Sequence, residues 1–136
     1  MELENLMKKV YQSLGFDPEA CVVRSNLDKF EAKFNVPSFA GQIFYLDINN
    51  KIATGFSMGV APNFRNKGIG SQLIKALEEF CKKAGMDYFI INHNTNTRRC
   101  WERKFGYKLM TEEERDEFYI KHMYNFNENT VYKRLI

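Results

Sequence analysis

A chain that runs an apolar strand through a basic, glycine-punctuated turn into an amphipathic helix has few folds open to it. Here the strand is Thr54-Gly55-Phe56-Ser57-Met58-Gly59-Val60, and the turn is Ala61-Pro62-Asn63-Phe64-Arg65-Asn66-Lys67-Gly68-Ile69-Gly70-Ser71. The helix follows from Gln72 to Ala84, with Leu73, Ile74, Leu77, Phe80, Cys81 and Ala84 on one face. Gly68 and Gly70 let the backbone approach an anion closely, and the first-turn N–H groups of the helix point into the turn with the positive end of the dipole. Arg65 and Lys67 add positive charge to donors that are already oriented. The turn reads as a pyrophosphate cradle.

Spacing separates the phosphate-binding loops that look like this. The P-loop pattern G-x-x-x-x-G-K-[ST] is absent, and a dinucleotide fingerprint fails because its required third small residue is Leu73. What remains is R-x-x-G-x-G, written Arg65-Asn66-Lys67-Gly68-Ile69-Gly70. Downstream come a compact strand, Tyr88-Phe89-Ile90-Ile91, then Asn92-His93-Asn94-Thr95-Asn96, then a short helix closing on Arg103-Lys104-Phe105-Gly106-Tyr107. The chain ends in Thr130-Val131-Tyr132-Lys133-Arg134-Leu135-Ile136. The first pattern resembles the acetyl-CoA-binding motif of the GNAT N-acetyltransferase superfamily. The second resembles that family's asparagine-bearing strand end and the helix after it, so the resemblance is detailed over Thr54 to Met110; the final segment is similar to the family's terminal strand.

The resemblance implies an α/β (α+β) fold of the GNAT type. In it a mixed central sheet, flanked by helices, splays a parallel strand pair around the acetyl-CoA site, and residues 1–136 form a single domain. It implies an acetyl-CoA-dependent N-acetyltransferase that passes the acetyl group directly to an amine acceptor, protein or small molecule. The alternative is a GNAT-fold module that binds acyl-CoA with its chemistry lost or changed. By the same resemblance, the pantetheine arm pairs with the strand carrying Met58, Gly59 and Val60 through amides near Met58 and Val60, one of which polarises the thioester carbonyl. Arg65, Asn66, Lys67, Gly68, Ile69, Gly70 and Ser71 hold the pyrophosphate, and Asn94 and Asn96 flank the thiol end.

The acid and the base are less well marked. Family members commonly place a tyrosine four residues before the closing glycine, where its hydroxyl can protonate the departing thiolate; here that residue is Glu102. Glutamate donates only if burial raises its pKa well above ~4.3. Otherwise Glu102 pairs with Arg98 one turn earlier, and either Tyr107, Tyr124 or Tyr132 reaches the sulfur or the thiolate leaves without a dedicated acid. No Asp or Glu lies in Thr54 to Val60, so the base candidates are Asp47 and His93. Each has a structural alternative: Asp47 as cap of the Asn49-Asn50 turn, His93 as a hydrogen-bonded core residue. His122 reads as surface.

Composition fits these expectations. The 136 residues suit one core, and 44% hydrophobic with 15% aromatic content is ample to fill it. No apolar run is long enough to span a bilayer and no signal-peptide core opens the chain, so a cytoplasmic location without membrane contact is expected. Three cysteines without metal-site spacing point to a reducing compartment and to no metal. A net charge of +3 is too small to imply a nucleic-acid partner, though it suits a phosphate-rich cofactor; a monomer or homodimer is expected.

The order of elements follows from periodicity. Leu3, Leu6, Met7, Val10, Tyr11 and Leu14 predict a helix over 2–14, ended by Gly15. Cys21-Val22-Val23 predicts a strand, and Leu27 to Asn35 is ambiguous between a short helix and other structure. Gln42 to Asp47 and Ile52 to Val60 flank Asn49-Asn50 and predict a hairpin. A crossover helix over 70–84 makes strand 87–92 parallel to strand 54–60. Thr111 predicts a helix N-cap before the acidic run Glu112 to Glu117. Trp101 and Phe105, one turn apart, are expected to pack the short helix into the core, with lining of an acceptor groove as the alternative.

Overall fold

A computed structural model describes residues 2–92 and 101–136. Helix α1 (Glu2–Ser13) buries Met7, Val10 and Tyr11, and the chain leaves it through Gly15 at φ +89°. Four antiparallel strands follow: β1 (Cys21–Asn26), β2 (Lys29–Val36), β3 (Ala40–Asp47) and β4 (Ile52–Val60). Helix α2 (Ile69–Lys83) crosses over to β5 (Tyr88–Ile91), which lies parallel to β4. Residues 101–105 are helical, and β6 (Lys108–Leu109), α3 (Glu112–His122) and β7 (Val131–Arg134) complete the fold. The seven strands form one sheet in the order β1-β2-β3-β4-β5-β7-β6. The mixed sheet, the parallel pair and the flanking helices are those expected.

One segment departs from the helical option. Residues 29–36 form a strand, because their apolar set repeats every second residue: Ala32 and Phe34 are fully buried while Lys33 and Asn35 are exposed. A turn with Leu27 at φ +57° joins it to β1. Thr111 caps α3 as expected, accepting from the Glu114 N–H at 3.1 Å, while the Glu114 carboxylate accepts from the Thr111 N–H at 2.9 Å.

Two cores lie on the two faces of the sheet. The larger, under α1 and α2, includes Phe34, Phe44, Leu46, Leu77, Phe80 and Phe89. The smaller, under α3, is built on Ile52, Ile90, Met110 and Phe126, with Phe118 packed against it. Both lock β4 and β5 together at one end only. The parallel pairing runs through Ile52–Tyr88 and Ala53–Phe89 and then stops.

The cause is a bulge in β4. Ile43 pairs with Ser57 but Tyr45 pairs with Thr54, so one extra residue sits on β4 opposite Phe44. Gly55 stands there at φ +69°, and a Cβ on it would come within 2.5 Å of the Tyr45 ring. Only glycine meets both conditions. The bulge bends β4 away from β5, opening a gap beyond Ala53.

Candidate functional site

The gap between the diverging strands leads into a cleft of ≈ 380 Å³. One wall is the strand–turn–helix segment, through Met58, Val60, Phe64, Arg65, Asn66, Gly68 to Ser71 and Ile74; the other is the helical stretch bearing Trp101, Lys104 and Phe105. Local conformation explains the turn. Asn66 and Gly68 both adopt positive φ, +63° and +78°, which folds the chain back so that successive N–H groups converge. Gly68 occupies the N-cap of α2 and offers no side chain to its first-turn N–H groups. Those donors, with the helix dipole behind them, face the cleft.

The strand contributes donors of a second kind. Ala61 N–H bonds Phe39 C=O at 2.7 Å, and in an antiparallel ladder hydrogen-bonded pairs alternate with non-bonded ones. Counting back in register, Gly59 and Ser57 direct their backbone groups to β3, while Val60 and Met58 direct theirs toward the gap that β5 has vacated. The Arg65 Nε–H donates to Val60 C=O at 2.9 Å, as this parity requires. Among the described residues, extended backbone with amides unpaired by a neighbouring strand thus leads away from the glycine-rich turn. Such an edge accepts a chain that carries amides of its own.

The two basic residues of the turn also have structural work. Arg65 closes the turn onto β4, and the Lys67 ammonium lies 5.7 Å from the Phe64 ring centroid. Lys104, on the opposite wall, is a cleft cation whose role its sequence setting did not reveal. Its spacing from Trp101 was the available signal, since residues three apart share a helix face. Trp101 packs into the core as expected, edge-on against Phe56 with centroids 5.4 Å apart, and with Phe105 it also lines this cleft.

Two of the acid and base candidates, Glu102 and Asp47, fall elsewhere. His93, Asn94 and Asn96 lie outside the described residues. Glu102 is exposed and does not line the cleft. Asp47 pairs with Ile52 at the far end of β4, roughly 25 Å along the strand from Val60. There it is buried, accepting from the Asn50 N–H at 3.1 Å, the Asn50 amide at 2.8 Å and the Tyr124 hydroxyl at 2.7 Å. Burial pushes its pKa up, but the bonds from Tyr124 and Asn50 outweigh that and hold it below the ordinary aspartate value. His122, read as surface, is half-buried with Nδ1 2.7 Å from Asn50 Oδ1.

The three tyrosines are committed as well. Tyr107 donates to Glu78 at 2.7 Å, Tyr124 to Asp47 and Tyr132 to Glu114. Burial and the Glu78 carboxylate hold the Tyr107 hydroxyl far above its usual range, and the bond to Glu114 with burial pushes Tyr132 up to about 12. None of the three lines the cleft. Among its described lining residues, the ionisable side chains are the cations Arg65 and Lys104.

Comparison with known proteins agrees with this geometry. The family model for the acetyltransferase (GNAT) family matches residues 6–107. No curated protein matches in sequence. Among solved structures, Tetrahymena GCN5 superposes with a TM-score of 0.59 at 15% identity, covering 100% of this chain and 88% of that one. A GNAT-family acetyltransferase from Staphylococcus aureus Mu50 superposes with a TM-score of 0.58 at 12% identity, covering 99% and 94%. With a splayed β4–β5 pair, a glycine-rich turn at the N-terminus of α2 and a family match over three quarters of its length, the chain belongs to the GNAT acetyltransferase family.

Proposed function

We propose that the protein is an acetyl-CoA-dependent N-acetyltransferase acting on an amine by direct transfer. The observation that carries this reading is the continuity of two donor sets. The N-terminus of α2 suits a pyrophosphate, and the outward amides of Met58 and Val60 suit the amide-bearing arm that follows it in coenzyme A. An acyl group on that arm reaches the gap beside Phe56, where a backbone N–H can polarise its carbonyl. Acetyl-CoA is the donor this site fits. The acceptor attacks as a free base, and the thiolate leaves without a tyrosine acid from Tyr107, Tyr124 or Tyr132.

A second reading, acyl-CoA binding without transfer, is favoured by one observation: no described residue lining the cleft is a carboxylate, histidine or tyrosine. Thiol release on mixing acetyl-CoA with a panel of amines and peptides separates the two. Turnover above the rate of hydrolysis supports transfer. Saturable acetyl-CoA binding with no thiol released by any amine supports the binding module instead.

A further inference from the structure

Strand β4 has a second side. Side chains alternate along a strand, so Met58 and Val60 point toward the face covered by α1 and α2 while Ser57 and Gly59 point to the opposite face. The small core under α3 covers that face at β5 and β7. Over β2, β3 and β4 it carries instead a trough of ≈ 380 Å³ lined by Lys33, Asn35, Gly41, Ile43, Ser57 and Gly59.

The register builds this trough in two rows. Lys33 stands opposite Ile43, and Ile43 opposite Ser57; Asn35 stands opposite Gly41, and Gly41 opposite Gly59. The second row therefore has a glycine floor. A Cβ on Gly41 would press the Asn35 amide oxygen at 3.0 Å, whereas a Cβ on Gly59 would meet nothing within 4 Å. The trough is thus open beside Gly59, between the two residues whose amides face the donor gap. On the helix side, Phe56 is closed in by the Phe89 and Trp101 rings, 5.6 and 5.4 Å away. A second substrate has its open approach from the trough.

Charge selects the occupant. Lys33 is the one charged residue among those lining the trough, it is exposed, and it has no ion-pair partner among the described residues. Glu31, the nearest acid on that strand face, accepts instead from the Tyr45 hydroxyl at 3.3 Å. Two strand spacings, roughly 10 Å, separate the backbones of Lys33 and Ser57. The lysine side chain spans much of that distance and leaves room for a molecule the size of an amino acid.

Resting on the acetyl-transfer reading of the cleft, we propose that this trough seats the acceptor, a small primary amine bearing a carboxylate, with Lys33 as its carboxylate anchor. The carboxylate lies against the Lys33 ammonium and the amine reaches past Ser57 and Gly59 to the thioester. The nitrogen attacks as the free base, the C–N bond forms and the C–S bond breaks. The sulfur leaves with the bonding pair, and the proton lost by nitrogen is taken up by the thiolate.

The test compares phenylalanine with phenethylamine, which differ by the carboxylate alone, in the wild type and in Lys33→Glu. Because Lys33 is exposed, the substitution leaves the core untouched. Thiol release should show kcat/KM for phenylalanine falling about tenfold through KM in the variant, since the charge is reversed at a solvent-exposed pair. Phenethylamine and the KM for acetyl-CoA should stay within about threefold. Equal effects on both amines, or none on either, would overturn the proposal. If neither amine is turned over by the wild type, the transfer reading fails for these acceptors, and saturation-transfer NMR on the CoA-loaded protein decides the trough separately. Phenylalanine binding that is lost in Lys33→Glu supports it, and no binding to the wild type overturns it.

Discussion

The two ends of β4 treat polar groups in opposite ways. At the Ile52 end, Asp47 takes bonds from Asn50 and Tyr124, and His122 completes the set on Asn50. The side-chain types most often enlisted in catalysis, a carboxylate, an imidazole and a phenol, are there used up in holding a turn to the segment after α3. Among the described residues the Val60 end holds few such groups, and there the first-turn N–H groups of α2 have no side-chain cap. Satisfied polar networks rigidify, whereas oriented donors left open bind. Residue type alone points to the Ile52 end, whereas backbone geometry points to the Val60 end.

The largest effect should come from adding charge to the open end. Acetyl-CoA at about one hundred times its Kd should stabilise the fold by about 2.7 kcal/mol, read as a thermal shift. Gly70→Asp should abolish that shift, while Gly70→Ala should keep most of it. A Cβ at position 70 meets only the Met58 methyl at 3.5 Å, so bulk by itself is tolerated. Equal shifts in the wild type and Gly70→Asp would remove the phosphate assignment from the turn.

Breaking the closed end should cost stability and leave turnover intact. Asp47→Ala strands the Tyr124 hydroxyl and two Asn50 donors and should destabilise by about 2–3 kcal/mol in urea unfolding. The folded remainder should acetylate within about threefold of the wild type. A kcat loss of about a hundredfold at unchanged stability would instead make Asp47 part of the chemistry. The pH dependence has a definite sign. Asp47 titrates lower in the folded than in the unfolded chain, so its stabilisation is fully present above the unfolded value of ~3.9 and is lost as pH falls through the lower folded one. Unfolding curves of Asp47→Ala and the wild type should therefore converge in acid.

A smaller effect concerns how the acceptor is deprotonated. With cations as the described ionisable lining of the cleft, kcat/KM should rise through pH 8 to 9, following an amine that reacts as its free base; an α-amine at ~7.7–8.0 is far better placed than a lysine at ~10.4. The His93→Ala variant should keep that profile. An inflection near 6.5 in the wild type that disappears in His93→Ala would identify a base and end the contrast between the two ends. The smallest effect belongs to Glu102, exposed and off the cleft wall. Glu102→Gln should alter turnover by less than about threefold, the scale of a surface helix pair, as measured by initial rates.

The glycine-rich turn and the helix after it were legible in the chain because their chemistry is local. Gly68 at an N-cap, Gly70 in the first turn and an amphipathic run after them need only neighbouring residues to act, so spacing alone predicted a helix whose N-terminus lines the cleft. The α3 cap at Thr111 was legible for the same reason. Residues 27–35 were not, because their choice between helix and strand rests on β1 and β3 pairing on either side. The gap itself depends on a register shift between β3 and β4 and on the Tyr45 ring occupying the space over Gly55, contacts made across strands. Likewise no property of Tyr107, Tyr124 or Tyr132 along the chain names Glu78, Asp47 or Glu114 as its partner. Sequence determined which segments can bind an anion or cap a helix, since those depend on backbone conformation within a few residues. Tertiary structure decided which polar side chains remain available, since that depends on what the folded sheet brings opposite them.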